Sequence, residues 1–273
     1  VTLAPHGGMV YVSDLDNGRR PGTLKEYENL VRLSHSCNVI HYNGGELVAL
    51  NDVDASVRHL VRLYTDFLLT DKALVEAAHG RVIPLYSFNM AKIVFGEDIS
   101  SSPVLGGVIN VSSPLRYDGR MLGGLLTYAR YGQVNIITPF ILAGAMSPVT
   151  IAAALAQQNA EVLAGIALTQ LVNPGAPVIY GGFTTNVDMK SGSPAFGTPE
   201  GAWALLVGAQ LARYYKLPYR GSGGLNSSQT PDAQAAYESL WTMWPAMLAH
   251  TNFILHSAGG VEGGMTVSLG KYL

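Results

Sequence analysis

One pattern recurs along the chain and limits what it can fold into. A short apolar run rich in β-branched residues is followed by a Gly/Ser/Asn loop, a Ser-Pro or Thr-Pro pair and a long helical stretch. The pairs are Ser113-Pro114, Ser147-Pro148, Thr198-Pro199 and Thr230-Pro231. Ser or Thr at an N-cap accepts a bond from a free backbone N–H, and Pro at the first helical position lacks a donor that would go unpaired anyway. Glu200 and Asp232 then place negative charge in the first turn, where the helix dipole favours it. The spacing predicts strands at 108–111, 134–139, 178–180, 217–219 and 252–256, with earlier ones at 9–12 and 39–41. A further strand is expected between Phe67 and Leu85, without a fixed position. Helices are expected near 23–35, 53–65, 88–95, 114–131, 148–172, 199–216 and 231–249. Strands alternating with helices imply a parallel sheet, and about eight such units favour a TIM-type (β/α)8 barrel over an open sheet. No Gly-x-Gly-x-x-Gly opens the first unit, which argues against a dinucleotide fold.

Composition narrows the function classes. Charged residues make up 13% of the 273 residues, about half the usual share in a globular domain. The mean hydropathy is +0.21. Much of the surface is therefore expected to be buried or covered, and a homo-oligomer is expected. The net charge of −2 and the isolated basic pairs, such as Arg19 and Arg20, give no nucleic-acid footprint. The most apolar long segment, 151–172, contains Gln157, Gln158, Asn159 and Glu161, and reads as a buried helix, not a membrane span. A single cysteine, Cys37, allows no internal disulfide and points to a cytoplasmic setting. The chain begins at Val1 and ends at Leu273 soon after an apparent strand, and it is read as one barrel domain, 1–273, truncated at both ends.

In such a barrel the chemistry sits where strands end and loops begin. That rule selects Tyr42, Asn110, Phe140, Tyr180, Phe183, Asn186, Arg220 and His256 as candidate substrate-binding residues. The segment 181–197 is long for a βα loop and is either a binding loop or a solvated insertion. Tyr42, Phe140, Tyr180 and Phe183 could together cage a cation, or could be ordinary barrel packing. Arg220 or His256 could hold the carboxylate of a small zwitterion; His256 could equally be structural. Asp188 and Glu262 are the main acidic candidates on this face. His35, Cys37 and His41 look like a zinc cluster, but His35 and Cys37 end the helix before a strand and belong at the opposite mouth. One Cys with no second ligand pair does not suit zinc, so no metal site is expected. No Gly-x-Ser-x-Gly elbow is present.

Several long stretches carry a resemblance. PFILAGAMSPVTIAAALAQQNAEVLAGIALTQLVNPGAPVIYGGFTTNVDMKSGSPAFGTPE, LPYRGSGGLNSSQTPDAQAAYESL and NFILHSAGGVEGGMTVSLGKY resemble the trimethylamine methyltransferase superfamily, as do DLDNGRRPGTLKEYENLVRL and NVIHYNGG. The resemblance covers nearly the whole chain. It implies a TIM-type barrel that moves a methyl group from a methylated amine to the cobalt of a separate, cognate corrinoid protein, with no tightly bound cofactor of its own. The founding branch carries pyrrolysine. The equivalent loop here reads Gly223, Gly224, Leu225, Asn226, so the chain resembles the branch without pyrrolysine, whose substrates are quaternary amines such as glycine betaine. A non-catalytic amine-binding barrel is the alternative expectation.

Overall fold

The computed structural model describes residues 1–96 and 98–273. In chain order the strands are β1 (Thr2–Leu3), β2 (Tyr11–Asp14), β3 (Gly18–Pro21), β4 (Leu74–Glu76), β5 (Leu105–Val111), β6 (Val134–Ala143), β7 (Val178–Gly181), β8 (Phe183–Asn186), β9 (Tyr219–Ser222), β10 (Phe253–Leu255), β11 (Gly260–Val261) and β12 (Thr266–Ser268). The helices are α1 (Leu24–Ser36), α2 (Arg58–Leu69), α3 (Val82–Phe95), α4 (Gly119–Arg130), α5 (Ile151–Val172), α6 (Pro199–Tyr214), α7 (Ala233–Leu248) and α8 (Leu269–Tyr272).

Seven strands form one curled, wholly parallel sheet in the order β1-β10-β9-β7-β6-β5-β4. This is an α/β fold consistent with a TIM-like barrel, but the ladder is not closed between β1 and β4. The expected strand at 39–41 falls in that gap and does not form a ladder. Its neighbourhood nevertheless touches both edges: the N–H groups of His41 and Tyr42 donate to the Leu3 carbonyl (2.8 and 3.3 Å), and Asn43 N–H donates to the Ala73 carbonyl (3.0 Å). The segment expected at 9–12 became β2, which belongs to a separate four-stranded sheet, β11-β12-β2-β3. The first strand of the curled sheet is instead the short β1, which the apolar pattern does not reveal. The unplaced strand is β4.

Alternation along the strands separates two cores. Ile109 of β5 and Ile137 of β6 face outward into a cluster with Leu125, Tyr128 and Val162 of α4 and α5. Their neighbours Val108 and Ile136 face inward, onto Ala4, Val75, Phe253 and Leu255. Further along the same inward face, apolar side chains give way to Asn110 and Thr138, which line a cavity at the strand ends. The cavity thus has an apolar floor.

Helix starts are set differently from the expectation. Thr198-Pro199 does start α6, with Glu200 in its first turn, but the Thr198 hydroxyl does not cap it. At α4 and α7 the caps are Asp118 and Asp232, whose carboxylates accept backbone N–H bonds from Arg120, Met121 and Ala235. Asp232 is therefore the cap itself, not a first-turn charge. The loop after Ser113-Pro114 is tied elsewhere: buried Glu161 accepts the Ser113 hydroxyl (2.6 Å) and Leu115 N–H (2.7 Å). That binding task explains a carboxylate inside the apolar α5, which packs on β6, β7, α4 and α6.

Candidate functional site

A cavity of about 470 Å3 opens where the parallel strands end, within the range of small-molecule sites. Gly7, Gly8, Gly44 and Gly45 form part of its wall. At Gly7 an added Cβ would collide with the Gly44 carbonyl, so the two loops meet backbone to backbone.

One wall centres on Arg220, the second residue of β9. Its strand position points it inward, where it is 2% exposed. Its Nη1 reaches the Gly182 carbonyl only at 3.4 Å, and its Nε has no partner. No carboxylate among the described residues pairs with it. The guanidinium lies 5.2 Å from the Phe183 ring centroid. Burial pushes its pKa down to about 10. A buried cation without a counter-ion is unfavourable until an anion arrives.

Beside it stand Phe183 and two histidines. Phe183 begins β8, which continues β7 past Gly182 and pairs with the far half of β6. The expected long loop is therefore partly a strand. The Phe183 ring contacts Phe140 (4.9 Å between centroids), His256 (5.1 Å) and Phe196 (5.9 Å). His256 follows β10, and its Nδ1 lies 3.1 Å from the Ser222 hydroxyl. The His6 ring packs against His256 at 4.3 Å between centroids, tilted by 38°. Burial, then repulsion from His6 and Arg220, holds His256 well below the usual imidazole range. Burial also takes His6 down to about 3. Both rings are neutral at pH 7, so neither competes with Arg220 for an anion.

The facing wall comes from β4, α2 and the loop at 44–46. Glu76 ends β4 and accepts a bond from Arg62 Nη2 at 2.6 Å. Arg62 also lies 3.7 Å from Glu46. Arg58, His59 and His79 complete this wall. Behind it, Asp66 accepts bonds from the Tyr27 hydroxyl and Asn43 Nδ2, each at 2.9 Å. Burial and the nearby Glu76 carboxylate raise the Asp66 pKa well above the ordinary value.

Of the residues chosen from sequence, Asn110, Phe183, Arg220 and His256 line this cavity. The others lie elsewhere. Tyr42 is in the apolar floor, 4.8 Å from the Phe253 ring. Tyr180 points outward between helices, its hydroxyl on Asn159 (3.1 Å). Phe140 backs Phe183 without lining the cavity. Asn186 accepts the Thr198 hydroxyl (2.6 Å) and so pins the loop to the start of α6. The four aromatic side chains therefore do not form one cage: Tyr180 faces outward because its strand neighbour Ile179 faces in, and Tyr42 lies deeper, in the floor. Gly223, Gly224, Leu225 and Asn226 are buried beside the cavity and do not line it. Lys271 Nζ and the Ser239 hydroxyl hold the Gly224 carbonyl, and Asn226 Nδ2 donates to Gly260 (2.6 Å). Asp188 accepts bonds within its own exposed turn, and Glu262 pairs with Arg19 at 3.0 Å.

Sequence reasoning missed the facing wall. Arg58, His59 and Arg62 lie on the helix expected near 53–65, which the strand-end rule does not select, and Glu76 lies on the strand that had no assigned position. The available signal was a carboxylate directly after an apolar pair, Leu74-Val75-Glu76.

The chain matches the family described as "Trimethylamine methyltransferase (MTTB)" over residues 1–273. It is 43% identical over 275 residues to a glycine betaine methyltransferase of Desulfitobacterium hafniense, covering 100% of this chain and 57% of that protein. It is 36% identical over 188 residues to the trimethylamine methyltransferase MttB of Methanosarcina barkeri (67% of this chain, 38% of that protein). It is 35% identical over 175 residues to a proline betaine:corrinoid methyltransferase of Eubacterium limosum (64% and 36%). The chain thus spans little more than half the length of the first of these relatives and less of the others. The chain belongs to the trimethylamine methyltransferase family.

Proposed function

We propose that the parent protein transfers a methyl group from a small zwitterionic quaternary amine, such as glycine betaine, to the cobalt of a separate corrinoid protein. The observation that carries this reading is Arg220: a buried, charged guanidinium with no counter-ion among the described residues, on the wall of a cavity of small-molecule size. A carboxylate on the methyl donor would satisfy it, with a paired, charge-assisted geometry. Two of the relatives bear the names of betaine methyltransferases, which fits that donor class.

In this reading the segment at 41–43 acts as the eighth stave, closing the barrel between β1 and β4 through its bonds to Leu3 and Ala73. The corrinoid, carried by its own protein, supplies a nucleophilic metal centre at the mouth. A cavity of about 470 Å3 accommodates a small amine, not a corrin ring, so the ring belongs outside it. When a quaternary nitrogen loses a methyl, the C–N bond electrons return to nitrogen and a neutral tertiary amine leaves. No proton is required, and the neutral histidines fit a site without a general acid. The chain's contribution is to hold the donor in line and exclude water.

The test is full-length protein with reduced corrinoid protein and a panel of glycine betaine, carnitine, choline and trimethylamine. Methylation is followed by corrinoid absorbance. Carboxylate-bearing donors should react and choline should not. Turnover of choline at the rate of betaine would remove Arg220 from substrate selection.

A further inference from the structure

The cavity wall opposite Arg220 carries a charge arrangement of its own. Along the curled sheet β4 and β9 are separated by β5, β6 and β7, so their ends face each other across the hollow. Glu76 on β4 is 4% exposed. Its Oε2 accepts the short bond from Arg62, and its Oε1 has no partner among the described residues. Arg62 is shared between Glu76 and Glu46, so one guanidinium faces two carboxylates. The other guanidinium on the wall, Arg58, donates through Nε and Nη2 to the Val53 carbonyl (3.3 and 2.9 Å). His59 and His79 are pushed down by burial, and neighbouring arginines add to that. They are neutral at pH 7 and do not oppose a cation.

We propose that Glu76 receives the cationic end of the methyl donor, so that Glu76 and Arg220 together select a zwitterion. This rests on the reading of the cavity as the amine site. A trimethylammonium group has no N–H and asks only for negative charge at van der Waals contact. Glu76 offers that: it lines the cavity, one oxygen already accepts from Arg62, and the other is buried with no hydrogen-bond partner among the described residues. A primary ammonium would bring three donors to a single free acceptor and leave buried N–H groups unpaired. The wall therefore favours the fully methylated amine over its unmethylated parent. The cavity pairs two buried, incompletely partnered charges of opposite sign, and a betaine supplies the complement to both.

The experiment compares two ligands of nearly the same shape by calorimetry with full-length protein. One is glycine betaine. The other is 3,3-dimethylbutyrate, in which carbon replaces the charged nitrogen. The wild-type protein should bind betaine at least about tenfold more tightly, the scale of a desolvated charge contact. Glu76→Gln should bring the ratio close to one while dimethylbutyrate affinity stays unchanged, which also shows that the variant is folded. Equal affinity of the two ligands for wild type overturns the role of Glu76 and leaves the carboxylate site standing. Equal loss of both ligands in Glu76→Gln overturns it too, since Glu76 would then act only by placing Arg62. If wild type binds neither ligand, the amine-site reading itself fails. Should Glu76→Gln not fold, the wild-type ratio alone still decides.

Discussion

Replacing Arg220 by Met gives two effects of opposite sign. Burial lowers the Arg220 pKa from its ordinary value to about 10, which corresponds to roughly 3 kcal/mol of unfavourable charge burial at about 1.4 kcal/mol per pH unit. Met keeps most of the side-chain length and is content among apolar neighbours. The substitution also forfeits the contact with the Phe183 ring, worth about 1 to 2 kcal/mol in a desolvated site. The ligand-free protein should therefore gain on the order of 1 to 2 kcal/mol of stability. Betaine binding should lose about 2 to 5 kcal/mol, because the carboxylate would be buried without its partner. That is a weakening of at least about 30-fold in Kd. Urea unfolding of the ligand-free protein gives the first quantity, and calorimetric titration with glycine betaine gives the second. An Arg220→Met protein that is less stable than its parent, with unchanged affinity, would refute the reasoning. Arg220 would then be a structural residue whose partners outweigh its burial cost.

Acid should destabilise the protein through its paired histidines. His6 sits at about 3 and His256 well below its ordinary value when folded, so between there and about 6.5 the unfolded chain holds the extra protons. Stability therefore falls as pH drops below about 6.5, by at most about 1.4 kcal/mol per pH unit for each histidine. Asp66, raised by burial, pulls in the opposite direction; the informative comparison is His6→Gln against its parent by urea unfolding at several pH values, where the slope should flatten. Gly124→Ala should abolish soluble expression or cost more than about 2 kcal/mol, since the added Cβ would sit inside the Ala78 carbonyl where α4 crosses the end of β4; a normal melting temperature would disprove that close approach. Asp118→Ala should cost about 1 kcal/mol by thermal unfolding through loss of the α4 cap, without altering betaine affinity.

The sheet order shows how far one-dimensional pattern reaches. Runs such as 134–139 and 178–180 became β6 and β7 because β-branched residues buried on both faces leave a continuous apolar signature. The two residues of β1 leave none, and they pair with β10 from the other end of the chain. Met9–Val12 has the signature, but its partners β3 and β12 put β2 in another sheet. Arg220 was selected because it directly follows an apolar run, and the structure turns it inward onto the cavity wall.

From sequence alone followed the strand-helix alternation, the family, and the part of the cavity lining that lies directly at strand ends: Asn110, Phe183, Arg220 and His256. Those features are local, set by residue periodicity and by where each run stops. Only the tertiary structure decided that Tyr42 and Tyr180 belong to packing, and that Arg62, Glu76 and Glu46 stand across from Arg220. A charge on a helix reads the same whether it meets water or a cavity. Which of these it meets is fixed by how strands distant in sequence curl into one wall.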